Sequence, residues 1–95
     1  MQTDEVETTI SETALRLILR SEDRFRAFVG RRVANGAAVD ELLQAALVRA
    51  VERGGQIRDA DRAIPWFYRL LRNEIAEHGR RQAVESRALD RLAGG

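Results

Sequence analysis

Apolar residues return along this chain at helical spacing, and nowhere do they alternate as in a strand. Leu15, Ile18, Phe25, Val29 and Val33 stand three, four or seven apart and predict one helix over about 12–34. Ser11 is a good N-cap for it, with Glu12 in the first turn. Ser21-Glu22-Asp23 is the weak point at which this helix can break in two, and Asn35-Gly36 is read as its C-cap, supplying left-handed residues. A second helix is predicted over about 38–53. Val39, Leu42, Leu43, Ala46, Leu47 and Ala50 form its buried face, and Gly54-Gly55 stops it. After the loop GGQIRDAD at 54–61, Asp61 is placed to cap a third helix that carries Pro65 near its start and runs to about 92. Three helices with short connections make an all-α, compact three-helix bundle. Residues 1–11, acidic and without period, are expected to be a flexible tail; 12–84 the folded domain; 85–95 the end of the last helix and the start of a linker.

The third helix has two kinds of surface. At 100° per residue, Phe67, Leu70, Leu71 and Ile75 share one arc, with Tyr68 at its edge. Trp66, Arg69, Asn73, Glu77 and Arg80 fall on the adjoining arc with Ala76. Phe67 is therefore expected to plug the core. Trp66 stands at the border, either as packing at the core rim or as a ring on which a base can stack beside Arg and an amide. On the second helix the outer arc holds Asp40, Glu41, Gln44, Val48 and Glu52. Val48 there is either an ordinary exposed valine or the apolar centre of a partner surface rimmed by carboxylates and an amide.

Composition narrows the classes. Ninety-five residues make one small domain, and no apolar run approaches the roughly 18 residues of a membrane span, so a cytoplasmic protein without membrane contact is expected. The absence of cysteine excludes disulfides and thiolate metal sites. His78, with Glu74 as its one carboxylate neighbour, has too few partners for a metal and is read as a packing or boundary residue. Asp59-Ala60-Asp61 lacks the ligand spacing of a calcium loop. No nucleophile comes with a base and an orienting group, so neither an enzyme nor a cofactor is expected. The net charge of +1 is unevenly spread: residues 1–61 carry nine Arg against eleven acids, residues 62–95 seven Arg against four. All sixteen basic residues are Arg, which a GC-rich genome explains and which also suits contacts to phosphates and bases.

The ordered set of residues resembles region 2 of the extracytoplasmic-function (ECF) group of bacterial sigma-70 factors. The resemblance spans about 12–82. It rests on Glu41-Leu42-Leu43-Gln44, Val48-Arg49-Ala50, Trp66, Tyr68, Arg72-Asn73, Glu77-His78 and Arg80-Arg81. It implies a module of transcription initiation. The second helix, through Asp40, Glu41, Gln44 and Val48, would bind the β′ clamp helices of the RNA polymerase core. The third helix and the loop before it would recognise and melt the promoter −10 element on its non-template strand. Asn73 would help hold a flipped base in a pocket walled by Gln56, Ile57, Arg58 and Asp59. Trp66 would stack at the upstream edge of the opened DNA, with Arg69, Arg80 and Arg81 on phosphates. An anti-sigma factor is a further partner the family admits. The resemblance also implies a helix-turn-helix domain that reads the −35 element; since RALDRLAGG stops as a linker would begin, the chain is expected to be one domain of a longer factor, with a natural short protein as the alternative. The competing reading is a helical protein-interaction module with no DNA role, told apart by whether Trp66 and the basic half meet nucleic acid.

Overall fold

The computed structural model describes residues 9–94, so residues 1–8 of the expected tail and Gly95 lie outside the described residues. Among the described residues four helices follow in order: α1 (Glu12–Arg20), α2 (Glu22–Gly30), α3 (Gly36–Arg53) and α4 (Ala63–Gly94). Two short 3₁₀ turns, Gly54–Gln56 and Ala60–Arg62, lie between α3 and α4. The fold is an all-α bundle.

The first predicted helix breaks at its weak point. Ser21 leaves helical geometry (φ −96°, ψ 13°), ending α1 and opening α2 without a capping bond from its own side chain. Ser11 caps α1 as expected, its hydroxyl accepting from the Ala14 N–H at 3.1 Å. Asn35-Gly36, in contrast, is no left-handed C-cap. Asn35 is extended (φ −86°, ψ 118°), and its side-chain oxygen accepts from the N–H groups of Ala37 at 2.9 Å and Ala38 at 3.4 Å. It is the N-cap of α3, which therefore begins at Gly36, not near 38. The role given to Asp61 passes to Asp59, whose carboxylate accepts from the Asp61 N–H at 3.0 Å and caps the 3₁₀ turn ahead of α4. Pro65 is the third residue of α4, where a missing N–H breaks no helical bond.

The core lies where α1, α2 and α3 close around the first half of α4. Phe25, Phe67, Ile18, Leu71 and Val29 are its largest fully buried side chains. Phe67 is the plug, its ring centroid 4.6 Å from that of Phe25. Tyr68 packs edge-on against both Phe25 and Phe28 at 5.0 Å, which turns it towards α2. Of the predicted apolar faces, Leu15 and Leu47 are half-buried, whereas Ala14, Phe28 and Ala38 are buried in addition. Ile10, from the expected tail, belongs to the fold: it packs against the core, and its N–H donates to the Val51 carbonyl at 3.3 Å. Alpha-helical rise makes the 32 residues of α4 about 48 Å long, more than the bundle can cover. Its last turns stand clear, with Val84, Leu89 and Leu92 exposed.

Candidate nucleic-acid interface

α4 begins beside the loop that precedes it, and between them lies a concavity of about 680 Å³. Gln56, Ile57, Arg58 and Asp59 wall it from the loop, Trp66 and Arg69 from the helix, with Arg62 and Pro65 completing the rim. Six of the nine residues expected at nucleic acid thus converge on one place. Its size falls in the range of roughly 300–1,000 Å³ usual for ligand clefts. Three Arg against one Asp make it positive, although the chain as a whole carries only +1. Trp66 is half-buried: one side packs on the core while the residue also lines this concavity. It packs at the core rim and borders the concavity at once.

Asn73 does not share that concavity. It is seven residues beyond Trp66, about 10 Å further along the helix. With Arg80 and Arg81 it lines a second hollow of about 450 Å³, between α4 and the C-terminal end of α3. The loop and Asn73 were expected to wall one pocket; the helical rise separates them. Four Arg (Arg49, Arg53, Arg80 and Arg81) face two carboxylates here, Glu74 and Glu77. Among the described residues Glu74 is the one buried charge, and Arg49 reaches across from α3 to pair with it. Its burial is explained by that partner, since an unpaired carboxylate in the core would be costly. Glu77 accepts from Arg80 at 2.7 Å. That hydrogen bond, and after it the Arg80 charge, holds the Glu77 carboxyl below its ordinary range. Arg53 and Arg81 form no ion pair among the described residues.

Asp40, Glu41, Gln44 and Val48 are all exposed on α3, and Val48 is 55% accessible. Asp40 differs from the other three because Arg26 of α2 pairs with it, while also bonding Glu22 at 2.8 Å. These bonds, Glu22 first, raise the Arg26 pKa, and the one to Asp40 joins α2 to α3 at the surface. His78 is half-buried beside Val33 and Ile75, in keeping with a packing residue.

Arg62, Arg49 and Arg53 line these hollows without having been expected there as site residues. Arg62 could have been found, because 62, 66, 69 and 73 step by four, three and four along one helical row. Arg49 and Arg53 are also four apart, but which helix they face depends on how α3 packs, and the pattern of α3 alone does not contain that.

Among the described residues no helix is long and apolar enough to cross a membrane. No solved structure matches the chain. Over 66 residues it is 32% identical to the RNA polymerase sigma factor CarQ of Myxococcus xanthus, a stretch covering 70% of this chain and 38% of that relative. The chain thus spans well under half the length of the curated relative it matches. Residues 9–85, which hold the core, the loop concavity and the Asn73 hollow, match the family Sigma-70 region 2, and the chain belongs to that family.

Proposed function

We propose that this chain is the part of a sigma factor that docks on the RNA polymerase core and recognises the −10 promoter element in transcription initiation, without enzymatic activity of its own. The observation that carries this reading is the loop concavity, where Gln56 to Asp59 meet Trp66 and Arg69 in a positive cleft at the start of α4. An unpaired base of the non-template strand entering it finds an aromatic edge, an amide and guanidinium groups. Extruding a base costs a few kcal/mol, which stacking at about 1–3 kcal/mol per base and phosphate contacts can offset. Asn73, in the neighbouring hollow, meets a different nucleotide of the same strand, with Arg80 and Arg81 on its backbone. The outer arc of α3 (Glu41, Gln44 and Val48, flanked by Asp40) is the docking surface for the β′ clamp helices. A chain of net charge +1 has little sequence-independent affinity for DNA, so polymerase supplies the rest. The compartment in which it works is the cytoplasm, where the polymerase is.

Trp66 is the sole tryptophan and reports directly on this reading. In the presence of polymerase core, a −10-type single strand is expected to quench its fluorescence, and less so as salt rises. Quenching that is absent at every salt concentration would leave the bundle without a nucleic-acid role.

A further inference from the structure

Glu74 is the last buried residue of α4, after Ala63, Phe67, Leu70 and Leu71. Beyond it the helix leaves the core, and the residues that follow are half-buried or exposed. An apolar side chain would fill this position with no charge to satisfy. The chain instead carries a carboxylate there, and Arg49 of α3 meets it through Nε. Such a pair does little for stability: removing both ions from water costs about as much as their attraction returns, and apolar replacements of similar volume are often neutral or better. What a directional contact supplies is register. Apolar packing at this end of α3 is poorly suited to that. Ala46 and Ala50, which bracket Arg49, are fully buried and offer only a methyl group each. Small side chains let a facing helix come close without fixing its rotation.

The group that needs this register is next in the chain. Asn73 directly precedes Glu74, is exposed, and lines the same hollow as the pair. Among the described residues no hydrogen bond holds its amide. The direction in which it points therefore follows the rotation of α4 about its own axis. A rotation of about 20° carries a group about 6 Å from that axis through about 2 Å, enough to break a hydrogen bond to a base edge. We infer that Glu74 and Arg49 are positioning residues for Asn73: the buried pair fixes the rotation of α4 where it leaves the core, and so sets how sharply that amide discriminates between bases. The inference rests on the proposed promoter-binding role. Arg49 is itself 43% exposed, so the test separates positioning from a direct contact with the strand.

The full chain is used with polymerase core and two labelled single strands: one selected from a random pool by the wild type, and its scrambled copy. The variants are an Arg49→Met, Glu74→Leu pair; Glu74→Gln, which keeps the shape and drops the charge; Asn73→Ala; and Asn73→Ala added to each of the first two. The apolar pair is expected to melt no lower than the wild type and to keep its affinity for the clamp helices. It should lose about tenfold in the ratio of selected to scrambled binding, as for one amide that reads a base edge. Glu74→Gln should lose part of that ratio, and it decides by the same comparison if the apolar pair fails to fold. Asn73→Ala added to either should leave the ratio where Asn73→Ala alone leaves it, within about twofold, because the pair acts through that amide. Losses that multiply instead overturn the assignment, as does an unchanged ratio. So does a slope of log K against log salt flatter by about 1 in the apolar pair, which would make Arg49 a phosphate contact. A pool from which the wild type selects no strand would bring down the promoter-binding reading itself.

Discussion

At Gly54 an added Cβ would lie 2.8 Å from Ile10 Cβ and Cγ1 and 2.9 Å from its Cδ1. Of these, Ile10 Cβ is fixed to the backbone and cannot swing away, so the N-terminal segment has to move off the end of α3. Gly54→Ala should therefore destabilise the fold by about 1–3 kcal/mol, the usual cost of overpacking. Shortening the obstructing residue as well, in an Ile10→Ala, Gly54→Ala pair, should recover part of the loss. Denaturant midpoints of these two variants and of Ile10→Ala alone decide it, and additive losses would mean the two residues do not touch. Gly79 is the opposite case. It lies inside α4 with nothing within 4 Å of an added Cβ, so it costs backbone entropy and spares no clash. Gly79→Ala should stabilise by about 1 kcal/mol on the same measurement.

Helix ends separate the two serine and asparagine junctions. Asn35 accepts two backbone N–H groups at the start of α3, whereas Ser21 accepts none at the start of α2. Asn35→Ala should cost about 1 kcal/mol and Ser21→Ala less than about 0.5, readable as a difference in melting temperature. These junctions also show what a sequence can reveal of a helical bundle. The period of Phe25, Val29 and Val33, or of Leu42, Leu43 and Ala46, is a property of one helix and was legible, as was the break at Ser21. Asn35-Gly36 was not, because the same two residues suit a helix that ends or one that begins. Only φ, ψ and the direction of the hydrogen bonds distinguish the cases. Glu74 falls within the apolar arc of α4, but its burial depends on Arg49 arriving from α3, and a pairing between helices leaves no trace in either period. For the same reason the separation of Asn73 from the loop concavity became visible only once α3 and the loop were set against α4.

Taken whole, the molecule keeps two surfaces apart. The outer arc of α3 carries carboxylates, an amide and one exposed valine, while the hollows along α4 gather arginines from α3, α4 and the loop. A net charge of +1 therefore averages over an acidic arc on α3 and basic hollows along α4. On the proposed reading the two can be damaged independently. Glu41→Arg inverts an exposed charge on the docking face and touches neither hollow; it should abolish clamp-helix binding and leave the salt-dependent contact with DNA intact. Asp40→Asn should do less, because Arg26 already occupies that carboxylate and solvent screens the pair. Asn73→Ala should do the reverse of Glu41→Arg, keeping polymerase affinity while narrowing the preference for the correct −10 strand, since one amide that reads a base edge is worth about 1–3 kcal/mol of discrimination. Measuring clamp-helix affinity and the ratio of correct to scrambled −10 strand binding for each variant gives a two-by-two outcome. If Asn73→Ala lost polymerase binding as well, the two surfaces would be coupled through α3 and α4, with the Arg49–Glu74 pair that joins them as the first place to look.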